Sequence, residues 1–193
     1  KAMSSVSQPF GLRPVYSPSG VVRPTAFSIQ TGYAVNILQN QPVRIAPSTA
    51  GGETEGTIVA AAVGAAFIGT FQGVEFTDSD GRRRVSNKWT ASLAATDIVA
   101  YVTLDPTIVY EVQSNAALNV ADIGKQYDFT TIGTGSTVVG ISQMMLDVST
   151  AASNAQMRLI GITPGPDNNW GDTYVIAQVQ ISEHQNVADK AAY

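Results

Sequence analysis
The sequence of 193 residues contains no cysteine and a single histidine, His184. Disulfides, thiolate nucleophiles and cysteine-ligated metals are therefore excluded, and stability has to come from packing. A histidine-based metal site would need carboxylates for all its other ligands. A serine triad would need that same histidine beside a nucleophile elbow, and no G-x-S-x-G occurs. His184 follows an alternating run, on its polar side with Gln178 and Gln180, and reads as a surface or interface side chain. Charge is scarce as well. Asp, Glu, Lys and Arg make up 13% of the residues, against roughly 25% in ordinary soluble domains. Small and amide side chains take their places, which suits a molecule packed against neighbours over much of its exterior. The net charge is −4 and only Arg82, Arg83 and Arg84 cluster, so no extended basic face is available for phosphates and no nucleic-acid partner is expected.

Long apolar runs are missing too. The weakly polar stretch 56–74 is broken by Gly64, Gly69 and Gly73 and carries Thr57, Thr70 and Gln72. It reads as buried strands joined by a turn, not as the run of about 20 apolar residues that spans a bilayer. The first fifteen residues hold no apolar run of the signal-peptide kind. No membrane partner is expected.

What is present is strand after strand. The length suits one domain able to bury about 70% of its unfolded surface. Residues 1–24 carry Pro9, Pro14, Pro18 and Pro24 with Gly11 and Gly20, a spacing that forbids a helix and disfavours a central strand. They are read as an extended N-terminal arm, followed by a β-rich domain over 25–186 and a C-terminal tail over 187–193. Strands are expected at Ala26–Gln30, Pro42–Ala46, Thr57–Ala62 and Ala66–Phe76. Asp80-Gly81 predicts a hairpin, because both residues tolerate positive φ. Ile98–Leu104 and Ile108–Gln113 follow, with Asp105-Pro106 turning the corner between them. In "TYVIAQVQISEHQ", Val175, Ala177, Val179 and Ile181 point one way while Gln178, Gln180 and Ser182 point the other, the pattern of a half-buried strand. Helical signals are confined to two short turns, one capped by Asn119 and stopped by Gly124, the other within 149–155. The expected fold is all-β: a single sandwich or barrel-like domain with short helical turns.

Motifs that imitate chemistry fail on inspection. "IGTGSTVVG" places Gly133 and Gly135 after an apolar residue, but no lysine follows and the continuation reads as strand, so the helix N-terminus that cradles a phosphate is missing. "DSDG" opens like a calcium loop, yet Arg82 stands where an oxygen ligand belongs. "TPGPDNNWGD" is the most site-like loop, with Asp167, Asn168, Asn169 and Asp172 around Trp170. Such a loop stacks on sugars, and its carboxylate pair suggests glycoside hydrolysis as the remote alternative. The plainer reading is an Asx-rich turn with a tryptophan lid over the core. No catalytic residue, cofactor site or metal site is assigned.

The order of phrases carries more. "PFGLRPV", "TGYAVNI" with "QPVRI", "FIGTFQGVEFTDSDG" with "SNKW", "ATDIVAYVTLDPTIVYEVQ", "GTGST", "PDNNWGDTY" and "AQVQISEHQ" together resemble the capsid decoration, or cement, proteins of tailed bacteriophages. The likeness runs from about Pro9 to Gln185, and "NILQNQPVRI" departs from it where a Gly-Asp is expected before Pro-Val. The resemblance implies a β-rich virion protein on the exterior of the icosahedral head. It implies no catalysis and no cofactor, with the major capsid protein and the chain itself as partners, in a homotrimer or else a dimer. On that reading Phe10, Leu12, Val15 and Tyr16 anchor the arm on a neighbouring subunit or on the capsid, and Arg13 pairs with a carboxylate there. The competing reading folds the arm back onto its own domain. Arg82, Arg83, Arg84 and Trp170 are further candidate contacts. The alternatives are a carbohydrate-binding or receptor-contacting virion module using the Trp170 loop, and a head–tail component.

Overall fold
The computed structural model describes residues 3–46 and 56–189. The chain is all-β and sandwich-like, built from antiparallel sheets with only three short 3-10 turns among the described residues. The first sheet holds β1 (Arg13–Tyr16), β8 (Val109–Gln113), β13 (Ile176–Ile181), β12 (Met157–Ile162) and β9 (Gln126–Tyr127), in that order. The second runs β2 (Pro24–Phe27), β7 (Ala95–Thr103), β5 (Gly69–Asp78), β3 (Pro42–Ile45) and β4 (Ile58–Ala60). A further strand, β6 (Arg83–Ser86), pairs with the later part of β5. A small ribbon of β10 (Gly135–Ser136) and β11 (Ile141–Ser142) completes the set.

The alternating pattern explains the best-formed element. Val175, Ala177, Val179 and Ile181 are all fully buried, while Gln178 and Gln180 lie half-buried on the other face. The Asp80-Gly81 hairpin joins β5 to β6, with Gly81 at φ +76°. The expected turn after Asn119 is a 3-10 turn at Val120–Asp122 with a capping box, released by Gly124 at φ +90°. Its counterpart is shorter than expected and starts one residue earlier, Val148–Thr150, with Asp147 as its N-cap. Several strand limits also move. The first of the expected strands lies at Pro24–Phe27 and not Ala26–Gln30, and the long one starts at Gly69 and not Ala66.

Each sheet carries its own core. One contains Leu12, Phe67, Tyr110, Val112, Tyr127, Phe129, Met157 and Val179. The other contains Ile37, Val43, Ile58, Ile68, Phe71, Val74, Trp89 and Val102. Phe67 and Ile68 are adjacent in sequence yet belong to different cores, so the segment leading into β5 is a wall between the two. The corner at Asp105-Pro106 carries the chain from β7 in one sheet to β8 in the other. A buried hydroxyl chain crosses near the same place: Tyr110 Oη to Thr103 Oγ1 at 3.0 Å, and Thr103 Oγ1 to Thr70 Oγ1 at 2.9 Å. Burial holds the Tyr110 phenol far above the usual tyrosine range.

The N-terminal residues are not a free arm. Leu12 is fully buried in the first core, and β1 and β2 are edge strands of the two sheets. Pro14 and Pro24 are tolerated because an edge strand has no partner waiting for the missing N–H. The proline spacing thus marks sheet edges, and of the two readings of the extended arm the fold-back onto its own domain is the one seen.

Candidate functional site
The residues singled out from the sequence fall into three places, and the first is the N-terminal strap. Residues 3–10 cross the outer face of the first sheet, tied at both ends. Ser4 is fully buried; its hydroxyl donates to Asp172 Oδ2 at 2.5 Å, its carbonyl accepts from Tyr174 N at 2.8 Å, and its Oγ also lies 2.7 Å from the Asp167 carbonyl. Gln113 donates from Nε2 to the Val6 carbonyl and accepts at Oε1 from the Gln8 amide. Under this strap Glu111 and Gln113 are buried although they project from the outer face of the sheet. The strap turns inward at Gly11, φ +74°, where a Cβ would sit 2.6 Å from the Asn40 carbonyl oxygen.

This placement corrects the expected roles of Leu12 and Arg13. Leu12 cannot fill a pocket on a neighbour, because it is an anchor of its own core. Arg13 does meet a carboxylate, but that of its own Glu111, at 2.5 Å, with Thr163 Oγ1 donating to the other oxygen at 2.8 Å. Its guanidinium also covers the Phe10 ring at 4.7 Å, leaving Phe10 half-buried. Val15 and Tyr16 remain outward. A bulge between Pro14 and Tyr16 shifts the register of β1, and both side chains are exposed.

The second place is the β5–β6 hairpin. Arg82, Arg83 and Arg84 are exposed, and each is paired within its own chain: Arg84 with Asp78 at 2.5 Å and Asp80 at 3.2 Å, Arg83 with Glu75 at 3.2 Å, Arg82 with Asp80 at 3.7 Å. The cluster therefore presents little net charge. Tyr101 Oη, then Arg83, holds the Glu75 carboxyl below its ordinary range, since both favour the charged form.

The third is the Trp170 loop. Trp170 is half-buried against the first core, so its ring is a lid and not a free stacking platform. Asn168 bridges the loop to β13, donating to the carbonyls of Thr163 and Ile176 and accepting from the Ile176 amide, each at 2.9 Å. Ser4 and the Asn169 amide hold the Asp172 carboxyl below its ordinary range. Because the folded value is depressed, the stabilisation is fully present above about pH 4 and is lost as the pH falls through the lowered value. Acidification below that point is expected to loosen the Ser4 end of the strap, while the Gln113 bonds to Val6 and Gln8 persist. Hydrogen exchange at the Tyr174 amide, corrected for its intrinsic rate, should accelerate there, and Asp172→Asn should abolish the pH dependence.

His184 is a correction of another kind. It is buried, not superficial, with Nδ1 accepting from the Asn186 amide at 3.1 Å and Nε2 lying 3.0 Å from the Leu104 carbonyl oxygen. The Asn186 amide is a local partner two residues on, whereas the Leu104 carbonyl is brought near only by the fold. Among the described residues no group of three or more His, Asp or Glu is placed to hold a metal ion, and no helix is long and apolar enough to cross a membrane.

Outward-facing aliphatic side chains escaped the sequence reading. Val138 is 90% exposed and Val85 is 80% exposed. Val138 and Val139 form the tip of the β10–β11 ribbon, and that tip is held firmly. Asn87 Nδ2 donates to the Val139 carbonyl at 2.9 Å, Lys88 Nζ donates to the Thr137 carbonyl, and Gly140 lies so near Asn87 that a Cβ would meet it at 2.6 Å. The signal was two valines between glycines, where a turn ordinarily carries polar residues. No family model matches the chain, and neither a curated protein nor a solved structure matches it.

Proposed function
We propose that this chain is a structural virion protein of a tailed bacteriophage. It binds the outer surface of the assembled icosahedral head and cements neighbouring capsomers against the outward pressure of the packed genome. The observation that carries this reading is the presentation of apolar side chains to solvent on hydrogen-bonded elements, Val138 and Val139 on the pinned ribbon and Val85 on β6. It stands with the sparse, internally paired charge and the ordered phrases of the sequence. Solvent-held valines on stiff elements cost little entropy to dock, because the side chains are short and the backbone is already fixed.

The physical mechanism is linkage. A site completed by two or more capsid subunits binds the assembled lattice and not the free subunit, so occupancy stabilises the assembled state by mass action. Several weak contacts on one symmetric oligomer act together and release slowly. The partners are the major capsid protein and further copies of the chain, as a trimer or else a dimer, on the head exterior.

The test compares binding to expanded heads with binding to free capsid subunits, using the wild-type chain and the pair Val138→Lys and Val85→Lys. Both positions are exposed, so stability should stay within about 0.5 kcal/mol of wild type. Head occupancy should fall about tenfold or more, since burying an unpaired ammonium in an apolar contact is strongly unfavourable. Equal binding of wild type to heads and free subunits, or no binding to either, overturns the proposal.

A further inference from the structure
An open groove of about 530 Å³ runs between the segment entering β2 and the corner joining the two sheets. Val21, Leu104 and Pro106 give it apolar walls, and Arg23 stands at its side. Val21 is 56% exposed. Arg13, Arg82, Arg83, Arg84 and Lys125 each face a carboxylate of their own chain, whereas Arg23 makes no ion pair among the described residues. Asp105 lines the same groove but is turned back into its own corner. Ser17 and Ser19 donate to one of its oxygens, and the amide and hydroxyl of Thr107 donate to the other. The groove thus offers an apolar floor with one uncommitted cation.

The complementary feature lies at the other end of the described chain. Val187 is 42% exposed, and Asp189 is exposed with no cation in ion-pair range among the described residues. Asp189 lies close enough to Glu183 to act on it: burial, then Asp128 and Asp189, push the Glu183 carboxyl up. The segment is fixed where it leaves the body, because the Val187 amide donates to the His184 carbonyl at 3.1 Å, and the His184 ring reaches the carbonyl of Leu104 in the groove wall. It departs beside its own groove.

We propose that the groove receives residues 186–189 of a second copy of this chain, with Asp189 set against Arg23 and Val187 against Val21, Leu104 and Pro106. Groove and segment are different surfaces, so the contact is heterologous and makes a ring where its rotation closes. A ring of three would be the trimer of the head-cement reading; that assignment rests on the reading, while the contact itself does not.

Charge reversal tests it. Sedimentation or native mass spectrometry across a concentration series should show self-association of the wild type. Arg23→Glu and Asp189→Arg should each raise the dissociation midpoint about tenfold, as like charges are brought face to face. The double variant should return close to the wild-type value. A wild type that stays monomeric throughout, single variants without effect, or a double variant no better than the singles each overturn the proposal. Loss of head binding by Arg23→Glu with unchanged self-association would overturn it too, and would assign the groove to the capsid. Normal self-association without head binding would leave this contact standing and remove the cement reading.

Discussion

Gly69→Ala is expected to yield no stably folded protein. Gly69 opens β5 at φ +156°, and a Cβ built there would lie 1.5 Å from the carbonyl oxygen of Thr103. The obstacle is backbone at the end of β7, not a flexible side-chain tip that can swing away. Moving it would disturb the Thr103 hydroxyl, which accepts from the Thr70 amide at 3.0 Å and joins Thr70 to Tyr110. Strain and broken buried hydrogen bonds together amount to a loss on the order of 4–5 kcal/mol or more, a large part of the ordinary stability of a domain. Circular dichroism and urea denaturation of the purified variant check this. Gly161→Ala is the matched control, since a Cβ there meets nothing within 4 Å.

Leu12→Ala should cost roughly 2–5 kcal/mol, as a fully buried leucine leaves a cavity that its neighbours only partly fill. The variant also separates the two accounts of the N-terminal segment. If residue 12 served only a neighbouring molecule, the isolated chain would be indifferent to its truncation. The structure requires the opposite: a lower urea midpoint in dilute solution, independent of protein concentration. Loss of the Leu12 anchor should also raise the exchange rate at the Leu12 amide, which donates to the Asn40 carbonyl at 2.9 Å.

The comparison of sequence with structure follows from the reach of each interaction. Local signals survived. The two-residue alternation in β13 and the Asp80-Gly81 turn were legible because each depends on a few consecutive residues. The choice between a fold-back and an anchor on a neighbour was not, since prolines read the same on an edge strand as in an extended arm until the partner β8 is known. The cross-linking glutamines were equally silent. Gln156 donates to the carbonyls of Ala62 and Ala65, about ninety positions away, and Gln185 clasps both backbone groups of Ile45. In a sequence such residues look like amides that face water; in the fold they cross-link segments, work that disulfides do in other small proteins. Of the candidate contacts, Val15 and Tyr16 kept an outward position, Arg82, Arg83 and Arg84 proved internally matched, and Trp170 proved a lid. Val138 and Val85 were missed because exposure is a property of the completed surface.

The wall between the two cores has a mechanical consequence. Phe67 and Ile68 drive successive side chains into opposite interiors, so one stretch of backbone belongs to both halves. A pull on the valine tip cannot part the halves here without drawing Phe67 or Ile68 out of its core. The whole body should bear load as one stiff plank and give way all at once.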